Sequence, residues 1–412
     1  MTVPAVEGAR TAAGEDRLLR LRRWLGLVGA PLAFGIVLAC RFPGLTPPAH
    51  RLAAIVAAVM VLWISEALPL PVTALAAAAA CILLQVAPAK DVFLPFADPL
   101  IFLFIGAFIL ARALFLHRLD RRLAFWVLAL PWVGARPGRV LVALGAVTAF
   151  ISAWVANAAT TAMMYAIAIS LIHSLADSRR GRPLVQPAYA TGLLLMTTFA
   201  ASVGGLATPV GAAPNLIGLG FIRNRLGVNF SFLDFCTVGA PAAAVLFLFV
   251  AGYLALLCPA GVREIEGGRE LFRSERSKLG PWTWGQRSTL VACTLTIGLW
   301  LAPAALALTL GEQSPLYQYV DDAVPEAVAA LLGAVLLFLL PGDLLATGER
   351  GRAISWEDAA RIDWGVILLF GGGLSLGLLA SQTGLAQAIG RDLAAVLPAH
   401  SPLGLVVLAT VT

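Results

Sequence analysis

Apolar residues dominate this chain in long runs, broken by short polar and basic stretches. Runs of about 20 apolar residues are long enough to cross roughly 30 Å of hydrocarbon as helix. Such runs predict spans near 24–41, 51–68, 70–87, 98–116, 188–222, 236–258, 287–310, 324–341 and 364–384. Residues 138–173 are also apolar but carry polar positions at their centre. No ten-residue alternation of the kind that builds a membrane β-barrel is present. The pattern predicts an all-α polytopic membrane protein. It also predicts an interfacial helix after Arg118 and a short amphipathic helix on the cytoplasmic side within 343–363.

The polar stretches supply orientation. Arg17, Arg20, Arg22 and Arg23 precede the first span, which places the N-terminus in the cytoplasm by the positive-inside bias. The fourth span then delivers Arg118, Arg121 and Arg122 to the cytoplasm, and the stretch holding Arg179, Arg180 and Arg182 is equally basic. Both stretches lie inside only if 138–173 enters the membrane and returns as a re-entrant hairpin. Continuing on that basis, basic 259–286 is inside, and 311–323, with Glu312, Asp321 and Asp322 and no Lys or Arg, is outside. The segments are therefore a cytoplasmic 1–23, a first span plus first repeat over 24–258, a cytoplasmic connector 259–286, and a second repeat over 287–412.

The repeats are visible as sequence. Residues 101–123 (IFLFIGAFILARALFLHRLDRRL) and 367–389 (ILLFGGGLSLGLLASQTGLAQAI) align without a gap, Ile367 minus Ile101 giving an offset of 266. Phe104 matches Phe370, Gly106 matches Gly372, and Leu119 matches Leu385. Duplication in an apolar chain implies a transporter with its site near the bilayer midplane. Residues 405–412 (LVVLATVT) also resemble 141–148 (LVALGAVT) at an offset of 264, so a second tip is expected near 421, from 157 plus 264. The second repeat is thus expected to be truncated before its hairpin tip.

Composition removes other classes. The chain is 59% hydrophobic and 13% charged, against roughly 25% charged for a soluble domain. The net charge of +6 sits in short loops and serves orientation rather than nucleic-acid binding. The N-terminal stretch is too polar, and its apolar run too long, for a cleaved signal peptide. Cys40, Cys81, Cys236, Cys258 and Cys293 are scattered without metal-ligand spacing, and read as packing residues. No acid, base or metal cluster lies at membrane depth, so no enzyme is expected.

Two polar breaks interrupt the apolar runs. One is Ser152 through Thr161, with Asn157 at its centre. The other is Gly204 through Asn215, where two prolines, three glycines and an Asn share one segment. Proline removes a backbone donor and disturbs the preceding turn. Backbone freed at membrane depth must line a cavity or be buried in protein. Freed carbonyls can coordinate a small cation, and half-helix N-termini present N–H groups to an anion. The plainer reading is that the amides bond between helices and the glycines permit close packing. Two such breaks together favour a substrate or ion site.

Four stretches carry a resemblance: Trp63 through Thr73, Ser152 through Met164, Gly204 through Asn215, and Trp364 through Gly377. Taken in order they resemble the divalent anion/sodium symporter family, which moves dicarboxylates, tricarboxylates or sulfate. The resemblance implies an inverted-repeat, elevator-type secondary transporter with broken helices and re-entrant hairpins. It implies a homodimer in the cell inner (plasma) membrane that carries a small dianion such as succinate or malate. Membrane lipid and a small-molecule anion are then the expected partners, with no nucleic acid and no organic cofactor.

Residue by residue, the resemblance implies substrate binding at Asn157, Ala158, Thr208, Pro214 and Asn215. It implies Na+ binding at Ser152, Ala156, Asn157 and Gly205. The tip departs from the family pattern: Ala156 and Ala158 stand where the family has Ser and Thr, so neither offers a hydroxyl to sodium or a carboxylate. The missing hydroxyls favour weak or absent Na+ dependence, with exchange or H+ coupling then expected. Transport of sulfate or another inorganic ion, and a truncated non-transporting chain, are the alternative functions. Of the remaining polar residues, Glu66 reads as structural or interfacial, and Arg112 either snorkels or helps attract an anion. Gly371 to Gly373 reads as close packing, since no Lys-Ser/Thr follows it.

Overall fold

The computed structural model describes residues 4–134, 136–176, 185–228, 230–265, 268–311, 313–344 and 350–396. Helices make nearly all of it: α1 (Pro4–Ala39), α2 (Pro47–Ser65), α3 (Leu70–Leu83), α4 (Ala89–Phe93), α5 (Pro99–Leu116), α6 (Leu119–Leu128), α7 (Pro137–Ser152), α8 (Asn157–Ala176) and α9 (Pro187–Gly204). Then follow α10 (Ala213–Leu226), α11 (Phe232–Leu257), α12 (Gly268–Lys278), α13 (Trp284–Leu310), α14 (Pro315–Ala323) and α15 (Glu326–Leu339). The antiparallel pair β1 (Pro341–Leu344) and β2 (Arg350–Arg352) precedes α16 (Trp356–Ala359), α17 (Trp364–Gln382) and α18 (Leu385–Val396).

Local sequence sets these limits. Pro99, Pro137, Pro187 and Pro315 each open a helix, where the missing N–H costs nothing. Ser231 with Asp234, and Thr283 with Gln286, form reciprocal capping boxes at the starts of α11 and α13. Glu66 ends α2 in the left-handed conformation, with φ 48°. Its carboxylate accepts from Arg22 Nη2 at 2.6 Å, which makes it the structural residue expected.

Six of these helices are long and apolar enough to span, and α14 with α15 form a further pair bent by 68°. The protein is therefore an all-α polytopic membrane protein. Three expectations change in detail. The run 70–87 is helical only to Leu83, because Gln85 adopts φ 54°. The run 188–222 is two helices, α9 and α10, around a short 3-10 turn at Pro209–Gly211. Among its described residues the stretch 343–363 holds the end of β1, all of β2 and one four-residue helix, α16. Here the β pair takes the backbone bonds: Ala353 N–H donates to the Leu340 carbonyl at 3.0 Å. The basic residues Arg179, Arg180 and Arg182, Glu312, and the repeat at 405–412 lie outside the described residues.

The chain forms two compact units, divided within α5. One comprises residues 1–101 and 364–412, the other 102–363. In the first, Leu52, Ile55, Cys81, Val92 and Leu379 build a buried cluster. Ser375 Oγ donates to the Val92 carbonyl at 2.7 Å, and Gly372 lies against Ala74, whose Cβ would sit 2.6 Å from an added side chain.

In the second unit the main core joins α7, α8 and α9 through Leu141, Leu144, Met164, Ala168, Leu193 and Met196. Tyr189 Oη donates to the Pro137 carbonyl at 2.8 Å, and Gly204 lies against Ala149, so α7 and α9 run parallel. On α5, Gly106 lies 2.6 Å (measured to an added Cβ) from the Ala330 backbone on α15. His117 follows α5: its Nε2 lies 2.6 Å from the Ala353 carbonyl and its Nδ1 3.6 Å from Asp343. Arg112 has Asp358 at 3.7 Å, so a carboxylate of the protein itself answers its charge.

Candidate functional site

The two polar breaks meet. Ser152 closes α7, the chain turns through Ala153 to Ala156, and Asn157 opens α8. Against this turn lies the elbow between α9 and α10, running from Gly204 to Asn215. Three glycines make the approach close enough. A Cβ on Gly204 would lie 2.1 Å from the Ala149 carbonyl oxygen. On Gly205 it would lie 2.2 Å from a terminal atom of the Asn157 amide, and on Gly211 it would lie 2.7 Å from the Gly205 oxygen. Only residues without side chains let these backbones interlock.

Hydrogen bonds then fix the pieces. Ser152 Oγ lies 2.8 Å from the Asn157 amide. An amide's orientation is assigned from its partners. The one that satisfies both ends directs Nδ2 at Ser152 Oγ (2.8 Å), the Gly211 carbonyl (3.2 Å) and the Ala201 carbonyl (3.2 Å). Thr208 Oγ1 donates to the Ala153 carbonyl and accepts from Gly211 N–H at 3.2 Å. Asn215 Nδ2 donates to the carbonyls of Gly205 (2.7 Å) and Thr208 (2.9 Å). Each amide thus binds carbonyls at the broken helix ends, two of which, Ala201 and Thr208, also accept a backbone N–H, from Gly205 (3.0 Å) and Gly211 (3.3 Å).

Five of the expected residues, Ser152, Asn157, Gly205, Thr208 and Asn215, therefore form one bonded cluster. Ser152, Gly205 and Thr208 are buried, whereas Asn157 and Asn215 are half-buried. Ala158 and Pro214 are exposed beside the cluster on the first turns of α8 and α10. Ala156 is half-buried in the turn, and its carbonyl accepts from Thr160 N–H at 3.0 Å. Sequence reading does not single out Ala149, Ala153 or Ala201, because they act through backbone oxygens that any residue carries. Thr160 also escapes it: the side chain is fully buried and Oγ1 has no partner.

The cluster's chemistry is neutral. Ser152 Oγ and the carbonyls of Ala201 and Gly211 converge on one atom of Asn157, and no carboxylate is among them. Hard, uncharged oxygens at broken helices suit a small alkali cation. The free N–H groups at the start of α8 suit an anion. The two functions meet at Asn157, which ends the turn and starts the helix.

Ser152→Ala checks this assembly. It removes one neutral hydrogen bond, about 1 kcal/mol, so transport is expected to fall roughly fivefold with little change in thermal stability. Initial rates in proteoliposomes read it. An unchanged rate would mean that Ser152 does not hold the amide.

The fold and this site define a transporter: multi-pass helices, with two broken segments interlocked around polar groups. A family model described as "Sodium:sulfate symporter transmembrane region" matches residues 21–412, and the chain belongs to that family. It is similar to the sodium-dependent dicarboxylate transporter SdcS of Staphylococcus saprophyticus, with 28% identity over 401 residues, 96% of this chain and 75% of the relative. The SdcS of Staphylococcus aureus strain USA300 is 29% identical over 374 residues, covering 90% of this chain and 69% of the relative.

Proposed function

We propose that this protein carries a small dicarboxylate across the plasma membrane by secondary transport coupled to sodium. The observation that carries the reading is the interlock of the two breaks around Asn157. Relatives bearing the name sodium-dependent dicarboxylate transporter support the substrate class and the ion. In this reading Na+ is held by Ser152, Asn157 and the backbone oxygens near Gly205. The dianion faces Asn157, Ala158 and the Thr208–Asn215 elbow.

Chain geometry supports a re-entrant hairpin. At 1.5 Å per residue, α7 and α8 are about 24 and 30 Å long. Had α8 continued in the direction of α7, its end would lie about 54 Å from Pro137. Yet Tyr189, at the start of α9, bonds to Pro137. The ten residues 177–186 between them reach at most about 36 Å when fully extended. A turn back at 153–156 fits this reach.

The duplicated sequence has a matching detail. Gly106 and Gly372, 266 apart, each pack on an alanine of a 14-residue helix, Ala330 of α15 and Ala74 of α3, themselves 256 apart. The same contact made twice supports an inverted repeat. Elevator-type movement in a homodimer, with the N-terminus cytoplasmic, belongs to this reading through family membership and the placement of Arg17 to Arg23.

Uptake of labelled succinate into proteoliposomes, with sulfate as the competing arm, tests the proposal. Sodium-stimulated succinate uptake is expected. Because Ala156 gives the cation no hydroxyl, Ala156→Ser is expected to lower the half-saturating sodium concentration roughly five- to tenfold, the effect of one added ligand of about 1–1.4 kcal/mol. Folded protein that moves sulfate but no dicarboxylate overturns the substrate. Uptake indifferent to sodium in both proteins overturns the coupling.

A further inference from the structure

A cavity adjoins the first of the interlocked breaks, sharing Trp154 and Val155 of its turn, within the unit 102–363. It has a volume of about 520 Å³ and is walled by α5, α6, the end of α7 with the turn after it, α13, and the end of α12 with the stretch after it. That volume falls in the range of about 300–1,000 Å³ characteristic of ligand sites. Its lining is apolar almost throughout. At one end Trp154, Phe232 and Trp300 stack with centroids 4.8–6.4 Å apart and planes within 18° of parallel. Two of these rings, Trp154 and Trp300, face the cavity. Elsewhere the wall includes Trp126 and Phe150, both half exposed, so the cavity opens to the surroundings.

The polar groups of this wall are few and unusual. Trp154 Nε1 and Arg122 Nε are sealed from solvent and have no acceptor. A buried polar atom without a partner is costly, so these two donors, with Asp120 Oδ1 beside them equally unpartnered, point to polar atoms supplied by a ligand. Arg122 is held in place: its Nη2 donates to the carbonyls of Leu279, Gly280 and Pro281 at 2.9–3.1 Å, and its guanidinium lies 4.8 Å from the Trp282 ring. Arg276 joins it in the lining. Among the described residues neither arginine has a carboxylate within ion-pair distance. Asp120 also lines the cavity. Burial raises its carboxyl above the usual range, which weakens the repulsion an anion would meet there.

We infer that this cavity binds an acidic membrane phospholipid, with one acyl chain along the aromatic wall and the headgroup phosphate at Arg122 and Arg276. An open apolar cavity with two unpaired cations matches a ligand that is greasy at one end and anionic at the other. A zwitterionic lipid would leave the arginine charge half answered. Bound lipid is read independently of uptake, so this proposal can fail without the transport reading failing.

Native mass spectrometry of the purified protein, re-supplied with equal phosphatidylglycerol and phosphatidylcholine, tests it. One bound phosphatidylglycerol is expected, preferred roughly 30-fold at about fivefold per arginine. Arg122→Gln with Arg276→Gln should reduce that preference to near unity. Because Arg122 also holds the stretch after α12, Arg276→Gln alone provides a milder variant, expected to lose about fivefold. Thr294→Trp, which fills the cavity from α13, should expel either lipid. Equal binding of both lipids by wild type, or preference unchanged in Arg276→Gln, overturns the proposal. So does a second copy of this chain covering the cavity, seen as a dimer without lipid that Thr294→Trp dissociates.

Discussion

Replacing Gly205 by alanine is expected to reduce transport by about 30- to 150-fold while the protein still folds. The added methyl would lie 2.2 Å and 2.8 Å from the two terminal atoms of the Asn157 amide and 2.9 Å from its Cγ, a separation real side chains do not show. The cheapest response is for the Asn157 amide to swing away, since it is a side chain and Gly205 is backbone. Swinging away abandons the bonds to Ser152 and to the Ala201 and Gly211 carbonyls. Losing the equivalent of two such bonds costs about 2–3 kcal/mol, which gives the stated loss. Uptake rates in proteoliposomes measure it. Gly252→Ala is the control, because its Cβ would meet nothing within 4 Å. Equal rates for Gly205→Ala and Gly252→Ala would remove Asn157 from the transport site.

Gly204→Ala, one residue earlier, should act on stability rather than on the site. Its methyl would lie 2.1 Å from the Ala149 carbonyl oxygen and 2.5–2.6 Å from that residue's Cα and carbonyl carbon. No rotamer relieves a clash with backbone, so α9 must move away from α7. Overpacking costs roughly 1–3 kcal/mol and occasionally more. The upper end applies here, and 3 kcal/mol corresponds to a fall of about 6–12 °C at roughly 2–4 °C per kcal/mol. A thermal-unfolding scan in detergent reads it. A melting temperature within 2 °C of wild type, roughly the error of such a scan and below the shift for 1 kcal/mol, would mean that α7 and α9 are not held together here. Adjacent glycines are thus expected to separate function from stability, because one faces an amide and the other a carbonyl.

Some of this was legible in the sequence. The two breaks, and Asn157, Thr208 and Asn215 within them, stand out because polar and helix-breaking residues interrupt apolar runs. The starts of α5 and α9 fall within one residue of the expected 98 and 188, at Pro99 and Pro187, because a proline at the first turn acts locally. The β1–β2 pair was not legible, since residues 343–363 carry a helix-like pattern and the pairing depends on bonds such as Ala353 to Leu340. The oxygens of Ala149, Ala153 and Ala201 were equally hidden, because a backbone carbonyl has no letter of its own. The apolar cavity was hidden too, because its lining looks like membrane-facing core in any one segment.

Hydropathy, proline placement and the 266-residue repeat determined, without coordinates, that this is a helical membrane protein, and located the two helix breaks. These properties are local or periodic, so composition and spacing express them fully. The tertiary structure alone decided that the breaks interlock, that Gly205 gives way to Asn157, and that Gly204 gives way to Ala149. It also decided that Arg122 and Trp154 share a cavity. Such facts depend on which segments meet in three dimensions and at what distance, and contact between residues tens to hundreds of positions apart leaves no mark in any short stretch of sequence.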